Sequence, residues 1–122
     1  MPAITLSDAI SRYGREAYLL TIGKGPHTSN VSIDLRNGVI CCAIGPSAAK
    51  NIAREPNVSL FWPPNESGGY AMIVNGIATG TAQPNGAVRA EISLTKSVLH
   101  RPGPKPADSD GPCASDCRRI VM

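Results

Sequence analysis

The dipeptide Asn37-Gly38 constrains this chain more than any other feature. Asn and Gly both tolerate positive φ, which a tight two-residue hairpin turn demands at its two central positions. The flanking residues read as strands. "HTSNVSIDL", residues 27–35, alternates Val31, Ile33 and Leu35 with Asn30, Ser32 and Asp34, the period of a half-buried strand. "VICCAI", residues 39–44, is the returning strand. Upstream, "AYLLTIG" is a short apolar run that stops at the turn Gly23-Lys24-Gly25-Pro26. Residues 17–44 are therefore expected to form a three-stranded antiparallel meander.

The rest of the chain continues in short pieces. Thr5 and Asp8 have capping-box spacing ahead of a helix over about 6–13, which Gly14 ends. A second short helix is expected over 47–55, with Ser47 as its N-cap and Pro56 forbidding continuation. "VSLFW" follows as a strand and Pro63-Pro64 stops it. "YAMIVNGIATGTA" reads as a long strand whose interior glycines, Gly76 and Gly80, mark bends or bulges. After the turn Pro84-Asn85-Gly86, "AVRAEISLTKSVL" alternates again, with Val88, Ala90, Ile92 and Leu94 on one face. Six strands with hairpin-like connections and two short helices predict an all-β fold with short helices. Closure into a small six-stranded antiparallel barrel removes the exposed edges. The domain is expected over residues 1–100. From Arg101 the text is rich in Pro, Asp and Ser, has no period, and reads as a tail over 101–122.

Several function classes recede on composition. The net charge of +3 is mild, and only five aromatic residues are present (Trp 1, Tyr 3, Phe 1), so stacking platforms for nucleic acid are scarce. No apolar run reaches the roughly 18 residues of a membrane span. The first residues lack the charged-then-apolar pattern of a secretion signal, so a cytoplasmic location is expected. Cys41 and Cys42 are adjacent in a strand and point to opposite faces. Cys113 and Cys117 lie in the tail; the plain reading is four free thiols, with a tail disulfide or a metal hook as the alternatives. Two cysteines at that spacing, with His27 and His100 the only histidines, fall short of a four-ligand zinc site, so no metal is expected. No nucleophile triad or paired-carboxylate site is legible. Asp34, Glu55, Glu66 and Glu91 are dispersed and read as solvated, and His27 is a candidate general acid only if a substrate comes within reach.

"EAYLLTIGKGPHTSNVSI", "KNIAREPNVSLFW" and "YAMIVNGIATG" fall in that order. Together they resemble the pyridoxamine 5'-phosphate oxidase-like flavoproteins over about residues 15–100. The resemblance implies an FMN-binding split barrel, working as a homodimer with cofactor sites between subunits and a small-molecule substrate. The cofactor implied is FMN, or in some branches a deazaflavin, whose ring does the redox chemistry by hydride transfer. The alternative is a non-enzymatic barrel that holds a flavin, a haem or another ligand. Ser29, Asn30, Val31 and Ser32 fall on the strand that the family uses for flavin. The family's phosphate-binding arginine matches Ser29 here, and its basic pair at the helix matches Ser47 and Ala48. What remains of a clamp is Ser47, the helix N-terminus and Lys50. A lysine in a first turn opposes the helix dipole at about 0.3–1 kcal/mol, which a bound phosphate would reverse. Lys50 is thus either a solvated side chain or an anion contact. Asn51 is either a structural hydrogen bonder or a cofactor contact. Trp62 is expected at the dimer interface, or stacked on the cofactor.

Overall fold

The computed structural model describes residues 4–104 and 115–121. It contains eight strands and two helices: β1 (Ile4–Thr5), α1 (Leu6–Tyr13), β2 (Glu16–Ile22), β3 (Pro26–Arg36), β4 (Val39–Ile44), α2 (Pro46–Arg54), β5 (Asn57–Trp62), β6 (Ala71–Ala82), β7 (Val88–Pro104) and β8 (Ser115–Val121). Six of the strands close on themselves in the order β7-β4-β3-β2-β5-β6, with β6 returning to β7. Every neighbour pair in that ring is antiparallel. This is the expected six-stranded antiparallel barrel, with β8 and β1 added beside β7.

The hairpin between β3 and β4 turns as Asn37-Gly38 demands, with φ of 53° and 78°. Register follows from it: Leu35 faces Ile40 and Ile33 faces Cys42. The inward side chains, including Leu19, Val31, Ile33, Ile40, Leu60, Met72, Val74 and Ile92, form one core. Each helix contributes two buried residues to it, Leu6 and Ala9 from α1, Ala48 and Ile52 from α2. The α1 caps are those read from the sequence: the Asp8 amide donates to Thr5 Oγ1 at 3.2 Å, and Gly14 closes the helix at φ 88°.

Trp62 is not at an interface and cannot stack on a ligand outside the barrel. It is 1% exposed in the core, and its indole N–H donates to the Gly14 carbonyl at 3.0 Å. The period of β5 explains this, since Val58, Leu60 and Trp62 share the inward face.

The segment read as a tail also departs from expectation. β7 runs on to Pro104, and β8 pairs with it antiparallel, placing Cys117 opposite His100. Cys117 is disulfide-bonded and fully buried, so it is not the free thiol expected, whereas Cys41 and Cys42 are free. Cys113 lies outside the described residues. Buried polar groups seat β8: Tyr70 Oη donates to Asp116 Oδ1 at 2.9 Å, Arg101 Nε donates to Asp116 Oδ2, and Arg118 Nε donates to Tyr70 Oη at 3.2 Å. The Arg101 guanidinium also lies 4.4 Å from the Tyr70 ring centroid, a cation–π distance.

Burial pushes the Asp116 carboxyl up, but the hydrogen bonds from Arg101 and Tyr70 together outweigh it and hold the group below the usual carboxylate range. Such a group stabilises the fold above its unfolded pKa of about 3.9, and the contribution is lost as pH falls through the lower folded value. The thermal midpoint is therefore expected to drop steeply below about pH 4, and Asp116→Asn to make that drop shallower. An unchanged acid slope in the variant, measured by circular dichroism, would remove Asp116 from this account.

Candidate functional site

α2 begins a residue or two earlier than the sequence implied. Gly45 is the N-cap and Pro46 occupies the first helical position, where its fixed φ suits the helix and its missing N–H costs nothing. Ser47 is thus inside the first turn, and no side chain caps the helix. Lys50 moves into the second turn, exposed, where the dipole effect has largely decayed. The charge that looked misplaced is an ordinary surface lysine of an amphipathic helix whose buried face is Ala48 and Ile52.

The other expected site residues separate by face. Ser29 and Val31 point inward on β3, and Asn30 and Ser32 point outward. Asn51 takes the structural role: its amide donates to Thr21 Oγ1 at 3.0 Å, and Thr21 is fully buried. Gly23 makes room for that amide, since a Cβ there would come within 2.5 Å of Asn51 Oδ1. Thr21 faces His27 across β2–β3. His27 Nδ1 and Ser29 Oγ are buried without a hydrogen-bond partner on this inward side. The positions matching the family's basic clamp are therefore small groups, with Ala48 only 1% exposed, and no cation stands there.

A groove of about 670 Å³ opens instead on the outer face of β3, β4 and β7. Its volume is within the range of small-molecule sites, about 300–1,000 Å³. Ser32 is the one expected site residue that lines it. Ala43 contributes an exposed apolar side chain, while Ile33, Cys42 and Val88 border the groove from strands that turn these side chains to the core. Its charged groups are Arg15, Arg36 and Arg89 against the single carboxylate of Asp34, an excess of two positive charges. Asp34 is not merely solvated: Arg15 donates to its Oδ1, and Arg36 donates to its Oδ2 at 3.1 Å. These hydrogen bonds hold its carboxyl below the usual range. On the other side the Cys41 sulfur beside Arg89 raises its guanidinium above the ordinary value, with Glu91 and Asp34 adding to it by charge. Arg89 Nε is buried and has no partner.

Cross-strand register assembles this set. Asp34 faces Cys41, and Ala43 faces Arg89. The residues are far apart in sequence, and only the pairing of β4 with β3 on one side and β7 on the other brings them together. A short signal did exist: Asp34 and Arg89 are outward positions of strands whose inward residues were read from their alternation, and Cys41 was read as facing opposite to Cys42.

Two further features bear on assembly and chemistry. Tyr18 of β2 faces Phe61 of β5, which faces Ile73 of β6, a cross-strand apolar row on the outside of the barrel with Tyr18 itself 40% exposed. Among the described residues there is no group of three or more His, Cys, Asp or Glu able to hold a metal, and no helix long and apolar enough to cross a membrane.

No protein-family model matches the chain. An uncharacterised protein of Mycobacterium bovis is 30% identical over 117 residues, covering 83% of this chain and 82% of that protein. Among solved structures, a protein of Listeria innocua described as a candidate pyridoxamine 5'-phosphate oxidase superposes with a TM-score of 0.63 at 14% identity, covering 76% of this chain and 94% of that one. General stress protein 26 of Bacillus anthracis gives 0.61 at 18% identity, covering 77% and 92%. At these identities the likeness is one of fold.

Proposed function

Because the chain belongs to one family with the mycobacterial protein and has the split-barrel fold of the pyridoxamine 5'-phosphate oxidase-like proteins, we propose that it is a flavin-dependent oxidoreductase. Its cofactor in this reading is FMN or a deazaflavin, and its substrate a small molecule. The observation that carries the reading is the groove on β3–β4–β7, large enough for a flavin and positively charged. An anionic flavin fits the donor set: three guanidiniums surround one carboxylate, and one of them keeps a buried N–H without a partner. When bound, the flavin supplies the hydride chemistry. The chain supplies the outward Ala43 side chain as apolar surface, and charge through the arginines. His27 does not line the groove, so it is not assigned as a general acid.

The working unit in this reading is a homodimer that covers the Tyr18–Phe61–Ile73 row. Light scattering tests it directly: twice the mass of one chain is expected, and a monomer at micromolar concentration contradicts it.

The test of function is spectroscopic. Purified protein titrated with FMN, and separately with a deazaflavin, is expected to bind one of them saturably at one per chain. The bound flavin should bleach with a chemical reductant and recover with an electron acceptor. Saturable binding with no redox turnover of any acceptor would favour the non-enzymatic barrel. No binding of either cofactor at high micromolar concentration contradicts the flavin-dependent reading.

A further inference from the structure

We propose that the anionic arm of the flavin is held by Arg89, assisted by Arg15 and Arg36, and not at the N-terminus of α2. The inference rests on the flavin reading above and assigns residues within it. Three observations converge.

The helix end has no cation to offer. Its cap is a glycine, Ser47 makes no capping hydrogen bond, Ala48 is buried, and Lys50 is a turn further along on the exposed surface. The groove, in contrast, concentrates three guanidiniums around one carboxylate. Asp34 is already occupied by Arg15 and Arg36, so the charge left for a ligand is centred on Arg89.

Arg89 is also the donor with capacity to spare. Its Nε is buried and makes no hydrogen bond, a cost of about 1–3 kcal/mol for a buried polar group that a ligand oxygen would relieve. The Cys41 thiol beside it is a weak acceptor, and the Glu91 and Asp34 carboxylates act on it only through their charge. The planar fork of a guanidinium matches the oxygens of a phosphate in pairs.

Arg89 further stands between two adjoining clefts. The main groove and a smaller one of about 470 Å³, reaching to Thr81 and Glu91, share Arg36, Cys41, Gln83 and Arg89. A guanidinium at that boundary touches a ligand in either cleft.

The experiment compares FMN with riboflavin, which lacks the phosphate, by flavin fluorescence titration of the wild type and of Arg89→Ala, Arg89→Lys and Lys50→Ala. The wild type is expected to bind FMN at least about tenfold tighter than riboflavin. Arg89→Ala should bring the two affinities to within about twofold, with riboflavin affinity little changed. Arg89→Lys, which keeps the charge and the folded barrel, should retain part of the preference. Lys50→Ala should retain all of it. A preference for FMN that survives Arg89→Ala, or that vanishes in Lys50→Ala, overturns the assignment. If neither flavin binds, the flavin reading fails, and inorganic pyrophosphate then tests Arg89 alone. A thermal shift with pyrophosphate that is present in the wild type and absent in Arg89→Ala supports an anion site at Arg89; no shift overturns it.

Discussion

Trp62→Ala is expected to lower the unfolding free energy by about 3–5 kcal/mol, a large part of the stability of a domain this size. The side chain is 1% exposed and is the largest of the fully buried ones, so its removal leaves a cavity that β-strands on all sides of the barrel cannot close. The indole N–H bond to the Gly14 carbonyl is lost as well, and that bond ties the end of α1 to β5. Trp62→Phe helps to separate the two contributions. It keeps most of the apolar bulk but removes the hydrogen bond together with part of the ring, and a smaller loss than in Trp62→Ala, about 1–3 kcal/mol, is expected. Urea denaturation followed by circular dichroism measures both. A loss below about 1 kcal/mol in Trp62→Ala would mean that the side chain is not in the core, and the interface role expected from the sequence would return.

Gly76→Ala is the second large effect, and it arises from excess volume. Gly76 sits where the β6–β7 register shifts by a bulge, between the pairs Asn75–Lys96 and Gly76–Leu94. A Cβ there would lie 2.6 Å from Ile92 Cγ2 and 2.6 Å from the Ser93 carbonyl oxygen. The Ser93 oxygen is backbone and cannot rotate away, so the two strands must separate. A cost of about 2–3 kcal/mol is expected, at the upper part of the range for overpacked sites. Gly80→Ala in the same strand is the control. Its Cβ would meet only Val88 Cγ1 at 3.3 Å, and a cost below about 1 kcal/mol is expected. Equal effects from the two substitutions would show that the bulge, and the barrel corner it makes, is not where the structure puts it.

The contrast between these glycines shows what the sequence made legible. Gly76 and Gly80 were both read as bends inside one strand, but only the register shows that Gly76 carries the bulge. The β3–β4 hairpin and α1 were legible because their signals are local: two residues that accept positive φ, one hydroxyl cap, one closing glycine. α2 was misplaced by a residue or two because Ser47 is a good cap in isolation, whereas Pro46 is a better first helical residue and shifts the cap to Gly45. β8 was missed because its buried positions include Asp116 and Arg118, which look solvated in a string of letters. Their partners, Tyr70 and Arg101, are supplied from elsewhere in the fold. The groove was illegible for the same reason on a larger scale. Arg15, Asp34, Cys41 and Arg89 acquire a common meaning only after β3, β4 and β7 are laid side by side.

In the proposed function, the outer face of β3–β4–β7 holds the ligand. Amide chemical-shift mapping of the isotope-labelled protein during titration with FMN tests it most directly. Saturable shifts centred on Ser32, Asp34, Cys41, Ala43 and Arg89 are expected, with Lys50 and Ala53 on α2 unmoved. Shifts confined to the first turn of α2 and to Ser29, or no saturable shifts at all, would contradict it.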